Sequence, residues 1–571
     1  MREKILKTLA ISFLVGITFS SCANDELRVD EATKQSIDEK FTSIGGKKLE
    51  NPYSVKNMRK ALEELKKDQK LKKNATASRT LNELTIEPTH LYVMYDLQSE
   101  EEEANLKADS SIVVFDYPLD YEFTDEQLDS RPALAEGQVP EYFAAVKIGS
   151  DEEAEHQYTL LEELYIPEED EYFNDPGQTS GKSTDPNEIA SREDLLRHLL
   201  HKAYELTGNE YELDSQPSQN GKWIFGTKWY PSGNIQVYDE IVGRNVPVTG
   251  AQVLMRQWFT VRQGITDGNG NFSTGFVRGK ARYILQWERY NYSIRNGSLF
   301  QAETRGPNVK QQAWNHTITG GDDKYHAIIH QAAHDYYYGH RFGLISPPMN
   351  NHIYSFGRQR QIKIAARETA PWGVPSSYSH IRSDLTFGLS AQIHIKAWGR
   401  DSDEVYGTTI HELSHALHSV LDRGSYDNIV RDSFLSTNSQ VRNRNRRLLE
   451  TWPTTVEILL TLDRYKTKFN KPSYEYRKVG NILNSGNKQY ATISSENSYT
   501  SGGYDMLDNI NQRITFGTLH PIDRVNGYTI KQLEQALIGA RLWTGWRDNI
   551  KTKYDNPTEV YIDELFNNWQ D

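Results

Sequence analysis

His411-Glu412-Leu413-Ser414-His415-Ala416-Leu417-His418 is the stretch around which the whole chain can be read. On a helix, His411 and His415 stand one turn apart on a single face, with about 6 Å between their Cβ atoms. Two imidazoles at that spacing can bind one metal ion, and Glu412 beside them is placed to take a proton from a water on it. Leu413, Ala416, Leu417 and Val420 recur at helical spacing, so the helix also carries a core stripe separate from its histidine face. Chance does not explain the run. The chain has 16 His in 571 residues, and random placement would give about 0.03 copies of His-Glu-x-x-His.

A catalytic Zn²⁺ takes three protein ligands and keeps one position open. His418 is the nearest further imidazole, but three residues on two turns of one helix cannot easily surround an ion. It is expected beside the site or on the surface. A Gly at 418 and a His at 421 would extend the motif to a third ligand, yet His and Leu stand there. The run Leu448-Leu449-Glu450-Thr451-Trp452-Pro453-Thr454-Thr455-Val456-Glu457 offers two carboxylates instead. Glu450 lies 35 residues after His415, enough for a loop and a returning helix. Glu457 follows seven residues later and can share its face. Proline is harmless in a first helical turn and disruptive later, so Pro453 places Glu450 near a helix start. Both carboxylates stay open as the third ligand, with Glu450 ahead.

The pairing of His-Glu-x-x-His with a later Glu450-Thr-Trp-Pro-Thr-Thr-Val-Glu457 resembles the zinc-binding metallopeptidase lipoproteins of Bacteroidota. Their pattern is Glu-x-Trp-Ala-x-x-Val-Glu, and this chain departs from it at Pro453. Phe115-Asp-Tyr-Pro-Leu-Asp-Tyr and Gly527-Tyr-Thr-Ile-Lys-Gln-Leu-Glu resemble segments of the same lipoproteins. The resemblance is of gluzincin type. It implies Zn²⁺ held by His411, His415 and Glu450, with Glu412 as general base and a protein or peptide as substrate. Gluzincins often use a Tyr or His to stabilise the oxyanion. Tyr499 and Tyr504, in Ser498-Tyr-Thr-Ser-Gly-Gly-Tyr-Asp, are the candidates, and Tyr499 is the one taken here. The stretch Ala391–Trp398 alternates, with Ile393 and Ile395 on one face. An edge strand just before the motif helix resembles the zincin arrangement, in which a peptide adds as an extra strand.

The chain opens with Arg2, Lys4 and Lys7 ahead of an apolar run, Thr8 to Phe19. That run is too short to span a bilayer comfortably and reads as a signal segment. Phe19-Ser20-Ser21-Cys22 resembles a bacterial lipobox. Cys22 is the only cysteine, so it has no internal disulfide partner and acylation is its natural use. The following Ala-Asn-Asp-Glu resembles the surface-export signal of Bacteroidota lipoproteins. The expectation is a lipid-anchored protein on the outer face of the bacterial outer membrane, attached through Cys22. A net charge of −13 argues against nucleic acid as a partner.

The expected fold class is multidomain α+β. Residues 1–21 form the lipoprotein signal, and 22–84 a tether with a short amphipathic helix carrying Met58, Leu62 and Leu65. Residues 85–220 form an accessory α+β module. It has strands at Thr89–Tyr95 and Ser111–Phe115 with an acidic block, Glu100 to Glu103, between them, a loop over Asn174–Pro186 and a helix over Leu195–Leu206. Residues 221–300 alternate and turn at Asn/Asp-Gly pairs, as a small β-sandwich does. Pro247-Val-Thr-Gly-Ala-Gln-Val and Thr266-Asp-Gly-Asn-Gly-Asn-Phe there resemble the carboxypeptidase regulatory-like (transthyretin-like) domain. Residues 310–571 form a zincin-like α+β domain with helices at Tyr325–Tyr338, Asn445–Lys466 and Thr529–Asp548. His326, His330 and His334 repeat at helical spacing. They read as an exposed polar stripe rather than a second metal site, since no acidic or Cys partner is evident. Two functions fit: a surface zinc metallopeptidase, or a surface binding lipoprotein whose metal domain is vestigial.

Overall fold

Along Gln252–Gln257 and Ala281–Gln286, side chains of alternating parity enter two different cores. Val253, Met255, Tyr283 and Leu285 pack with Ile235 and Val237. Leu254 and Ile284 point the other way, into a second core with Trp258 and Phe259. Strands buried on both faces lose the apolar–polar alternation of a half-exposed sheet, and this double burial joins the parts of the chain. The computed structural model describes residues 31–68, 75–109, 111–134, 138–150, 156–174, 191–212, 228–354, 357–368, 376–378, 392–477, 487–493 and 498–569. The signal segment and Cys22 lie outside the described residues, as does most of the Asn174–Pro186 stretch. Among the described residues no helix is long and apolar enough to cross a membrane. The fold is mixed α+β.

Two four-stranded sheets form the central β unit. One runs Asn271–Ser273, Ser232–Asp239, Trp314–Ile318, with Arg244–Pro247 also paired to Ser232–Asp239. The other runs Glu303–Val309, Ala281–Gln286, Gln252–Gln257, Thr260–Ile265. The unit therefore continues to Ile318, beyond the boundary at 300 read from sequence. It also yields Glu288–Arg289 and Tyr292–Arg295 to a different sheet. Pairing partners, and not chain position, decide which sheet a strand joins.

The N-terminal unit centres on His90–Tyr95, which pairs antiparallel with Tyr142–Lys147 and Thr159–Leu164. The helix Val55–Lys67 starts where the Ser54 side chain accepts from Asn57 N–H, and it buries Met58, Ala61, Leu62 and Leu65 as its spacing predicts. It packs against Arg192–Leu206, so this stretch is core and not tether. Ser111–Phe115 is not a strand; only Phe115 bridges, to Phe143. The acidic block is the start of a helix, Glu100–Ala108, capped by Ser99. Glu103 on it is buried and meets Arg295 at 3.1 Å and Lys363 at 2.5 Å. An acidic run usually marks a solvated face, but here its fourth carboxylate fills a cation-lined junction.

The C-terminal unit is built on a five-stranded sheet. Its order is Glu288–Arg289, Tyr292–Arg295, Ile362–Arg367, Ile393–Lys396, Ser376–Tyr378. Ile393–Lys396 is thus interior, parallel to Ile362–Arg367 and antiparallel to Ser376–Tyr378. Among the described residues the edge expected at Ala391–Trp398 belongs to Ser376–Tyr378, because that earlier segment pairs along its open side. The helices Gly321–Tyr338 and Ser402–Leu421 pack together, and Ser439–Leu462 packs on the latter. The helix read over Thr529–Asp548 is two, Ile530–Ala536 and Trp543–Lys553. Between them Gly539 takes φ +80°, and its N–H donates to Asp422 Oδ2 at 2.7 Å.

The histidines of Gly321–Tyr338 are not an exposed stripe. His326 and His330 are buried. His330 places Nε2 3.0 Å from Thr249 O and Nδ1 3.1 Å from Tyr292 Oη. A Cβ at Gly250, where φ is +73°, would overlap the His334 ring. This face is where the helix docks on the β unit, and both faces of the helix are covered. Burial pushes the His326 pKa down to about 4 and that of His330 to about 3.

Candidate metal centre

The motif helix, Ser402–Leu421, begins on a borrowed carboxylate. Glu240, at the end of Ser232–Asp239, accepts from Ser402 N–H and, at 2.8 Å, from Ser402 Oγ. Asp403 and Glu404 add negative charge in the first turn, which suits the exposed N–H groups there. Most of the helix is buried, and the small differences in exposure are informative. His411, Glu412 and His415 retain 6%, 5% and 7%, whereas Leu413, Ser414, Ala416, Leu417 and His418 show 0%. One face therefore keeps slight contact with solvent while the rest is sealed.

The second helix, Ser439–Leu462, is capped by Asn438, whose side chain accepts from Gln440 and Val441 N–H. Pro453 lies in its interior, so Glu450 sits mid-helix and not at a start. Proline removes one N–H donor from the ladder. Beside it, Thr454 Oγ1 donates to Glu450 O and Thr455 Oγ1 to Thr451 O, each at 2.7 Å. These hydroxyls supply local hydrogen bonds around the proline, and Glu450 keeps its direction.

The two helices bring His411, His415 and Glu450 together, with one donor atom from each within 4.8 Å of the others. Glu450 Oε2 lies 3.3 Å from His411 Nε2 and 3.4 Å from His415 Nε2. A tetrahedral ion with bonds of about 2.0–2.1 Å holds neighbouring donors about 3.3–3.4 Å apart. The spacing and the donor types fit a metal ion. The electrostatics agree. Burial works to lower the His411 pKa, but Glu450 and Glu457 outweigh it and raise it to about 10. Positive charge is favoured at this point. Among the described residues it is the one such cluster of three donors.

Glu457 takes a different place. Its Oε2 lies 2.9 Å from His411 Nδ1, the nitrogen turned away from Glu450. Its Oε1 accepts from Tyr476 Oη and, at 3.0 Å, from Arg477 Nη2. Arg477 Nε donates to Tyr476 Oη at 2.8 Å. Burial would raise the Glu457 pKa, but Arg477 and His411 hold it down, at about 2. Glu457 thus stays ionised and fixes the ring of His411 with Nε2 facing Glu450 and His415. Gly407 makes room for this arrangement: a Cβ there would overlap Tyr476 Oη.

Glu412 is buried, and burial is the main cause that raises its pKa, with His411 and His415 opposing. Tyr499 is 42% exposed, and its ring centroid lies 5.8 Å from that of His411. Its backbone is tied to the second helix on both sides. Thr451 Oγ1 lies 3.3 Å from Ser498 O and 3.0 Å from Thr500 Oγ1. A Cβ at Gly503 would overlap Thr455 Oγ1, so the glycines let this segment lie on the helix. Tyr504 is directed elsewhere, against the core of Ile458, Tyr465, Tyr474 and Tyr476. His418 is not in the cluster; it is fully buried and packs on Tyr426 at 5.0 Å. Tyr476, Arg477 and Thr451 carry no sequence signal of their own. Gly407, one turn before the motif, was the available hint. Comparisons with family models, with curated proteins and with solved structures find no match to this chain.

Proposed function

We propose that the chain is a zinc-dependent metallopeptidase. The observation that carries this is the cluster of His411, His415 and Glu450, in which Glu450 Oε2 lies at tetrahedral-edge spacing from both histidine Nε2 atoms, with Glu412 beside them on the motif helix. Two imidazoles and one carboxylate suit zinc. Zinc bound there supplies Lewis acidity that acidifies water and polarises a carbonyl. Glu412 takes the proton of the attacking water and delivers it to the leaving amine. Its pKa, raised by burial, moves toward the range in which a carboxylate can do both. Tyr499 donates its hydroxyl proton in a hydrogen bond to the developing oxyanion. Among the described residues Ser376–Tyr378 is the outermost strand of the sheet and lies against the motif helix, and an edge strand offers backbone groups to a substrate strand.

The test is substitution with metal analysis. His411→Ala or His415→Ala should abolish stoichiometric zinc and peptide hydrolysis together. Zinc-free protein that still hydrolyses peptides, or zinc-replete protein that never does, counts against the reading. We also propose anchoring through acylated Cys22 at the outer membrane surface. Two acyl chains suffice for stable attachment and one is marginal. Cys22→Ala should then move the protein from the membrane to the soluble fraction, and a soluble wild type would reject the anchor.

A further inference from the structure

Tyr499 stands between His411 and a cation. Its ring centroid is 5.8 Å from that of His411 and 5.5 Å from Lys488 Nζ. Lys488 opens the short turn Lys488–Tyr490, which is capped by the Asn487 side chain accepting from Gln489 N–H at 3.0 Å. Gln489 Nε2 in turn donates to Oδ1 of the buried Asp505 at 2.9 Å. The turn is therefore pinned to the segment that follows Tyr499, which sets the half-buried Lys488 beside that ring.

The charge of Lys488 is not spent on an ion pair. Among the described residues no carboxylate lies within ion-pair distance of it, whereas Arg477 is engaged by Glu457 at 3.0 Å and Glu404 at 3.9 Å. A ring under a cation attracts it but does not neutralise it. Lys488 is also half-buried, and burial lowers its pKa with Arg477 adding to the effect. A divalent ion held by His411, His415 and Glu450 would offset nearby carboxylate charge, and Arg477 is already paired with Glu457 and Glu404. Lys488, over the ring of the exposed Tyr499, is then the cation left without a carboxylate partner among the described residues.

We propose that Lys488 is a specificity residue that draws a substrate carboxylate to the Tyr499 side of the site. The inference rests on the metallopeptidase reading. A carboxylate on a peptide has two sources, an Asp or Glu side chain next to the scissile bond and the free C-terminus. An ammonium at a partly desolvated position favours either over the neutral amide, and repels a Lys or Arg there.

The experiment is equilibrium binding to the zinc-loaded Glu412→Gln protein, which holds peptide without turning it over. Four capped peptides of one uncharged sequence serve as probes: with internal Glu or Gln, and with free or amidated C-terminus. The carboxylate member of one pair should bind roughly tenfold tighter than its neutral partner, the usual gain for a hydrogen bond between charged groups. The responding pair identifies the source. In Lys488→Met the ratio should fall to about one, and Lys488→Arg should restore it, since it returns the charge. Zinc content and circular dichroism of each variant show that the site and fold persist. No preference in either pair, or a preference unchanged by Lys488→Met, overturns the inference. Hydrolysis of the uncharged peptide by wild type is scored separately. If that fails while carboxylate selectivity follows Lys488, the catalytic reading is at fault and the anion site stands.

Discussion

Glu457 Oε2 lies 2.9 Å from Nδ1 of His411 while Glu450 Oε2 lies 3.3 Å from Nε2 of the same ring. Seven residues of helix separate the two carboxylates by about 10.5 Å along the axis, and the imidazole spans the gap between their side chains. One acid is thereby placed beside the Nε2 atoms of both histidines and the other behind the ring. Glu450→Ala should remove the metal outright. Glu457→Ala should leave a bound metal with affinity lowered about 10–100-fold. Titration with a competing chelator distinguishes the two, and the reverse order would exchange their roles.

Gly407 is predicted to act on the metal through three other residues. Gly407→Ala pushes Tyr476 Oη away, which loosens Glu457 and then His411. Zinc affinity should fall by about tenfold, although Gly407 is not a ligand. Unchanged affinity in a folded Gly407→Ala protein would show that Tyr476 does not help to hold Glu457.

The junction at Glu103 should dominate the stability of the interface between the N-terminal unit and the C-terminal sheet. Burial alone would raise its pKa, but Lys363, Arg295 and Lys107 hold it far below the usual carboxylate range. Glu103→Ala leaves buried cations unpaired and should cost about 3–5 kcal/mol. Urea denaturation followed by Trp fluorescence reads this loss; a change below about 1 kcal/mol would mean that water replaces the carboxylate.

His326 is predicted to make the fold acid-sensitive. Its folded pKa, about 4, lies below the ordinary 6.5. The unfolded chain therefore binds the proton first, and stability present above pH 6.5 is lost as pH falls toward 4. The contribution between pH 7.5 and 5 is roughly 2 kcal/mol. Glu303 and Asp323, raised to about 7 and about 6 mainly by burial, act in the opposite sense, so the comparison must be between variants. His326→Phe should flatten the dependence of stability on pH by about 2 kcal/mol relative to wild type. An identical slope in both proteins would mean that His326 is hydrated or partnered in solution.

What could be read from the sequence follows physical range. The motif helix, the amphipathic Val55–Lys67 helix and the seven-residue spacing of Glu450 and Glu457 are local patterns, and the structure places them as the periodicity implies. Features that depend on distant pairing were not legible. The edge role of Ile393–Lys396 vanishes because Ser376–Tyr378 pairs beside it. Tyr292–Arg295 leaves the β unit because Ile362–Arg367 pairs with it in parallel. His326 and His330 looked like a polar face because periodicity ranks one face against another and cannot show that both are covered. Tyr476 and Arg477 reach Glu457 across a tertiary contact for which no spacing rule exists. Pro453 misled in a different way: a helix held on several sides keeps its course through a proline that would end an isolated one.

The most direct test is a zinc titration of chelator-treated protein while cleavage of an unfolded protein substrate is followed. Activity should rise in proportion to added zinc and level off at about one equivalent per chain, as expected for three protein ligands around one ion. Glu412→Gln should take up the same zinc and show activity lower by about 10²–10⁴-fold, because an amide cannot accept the proton. Cleavage that persists without metal, or near-wild-type turnover by zinc-loaded Glu412→Gln, would contradict the account.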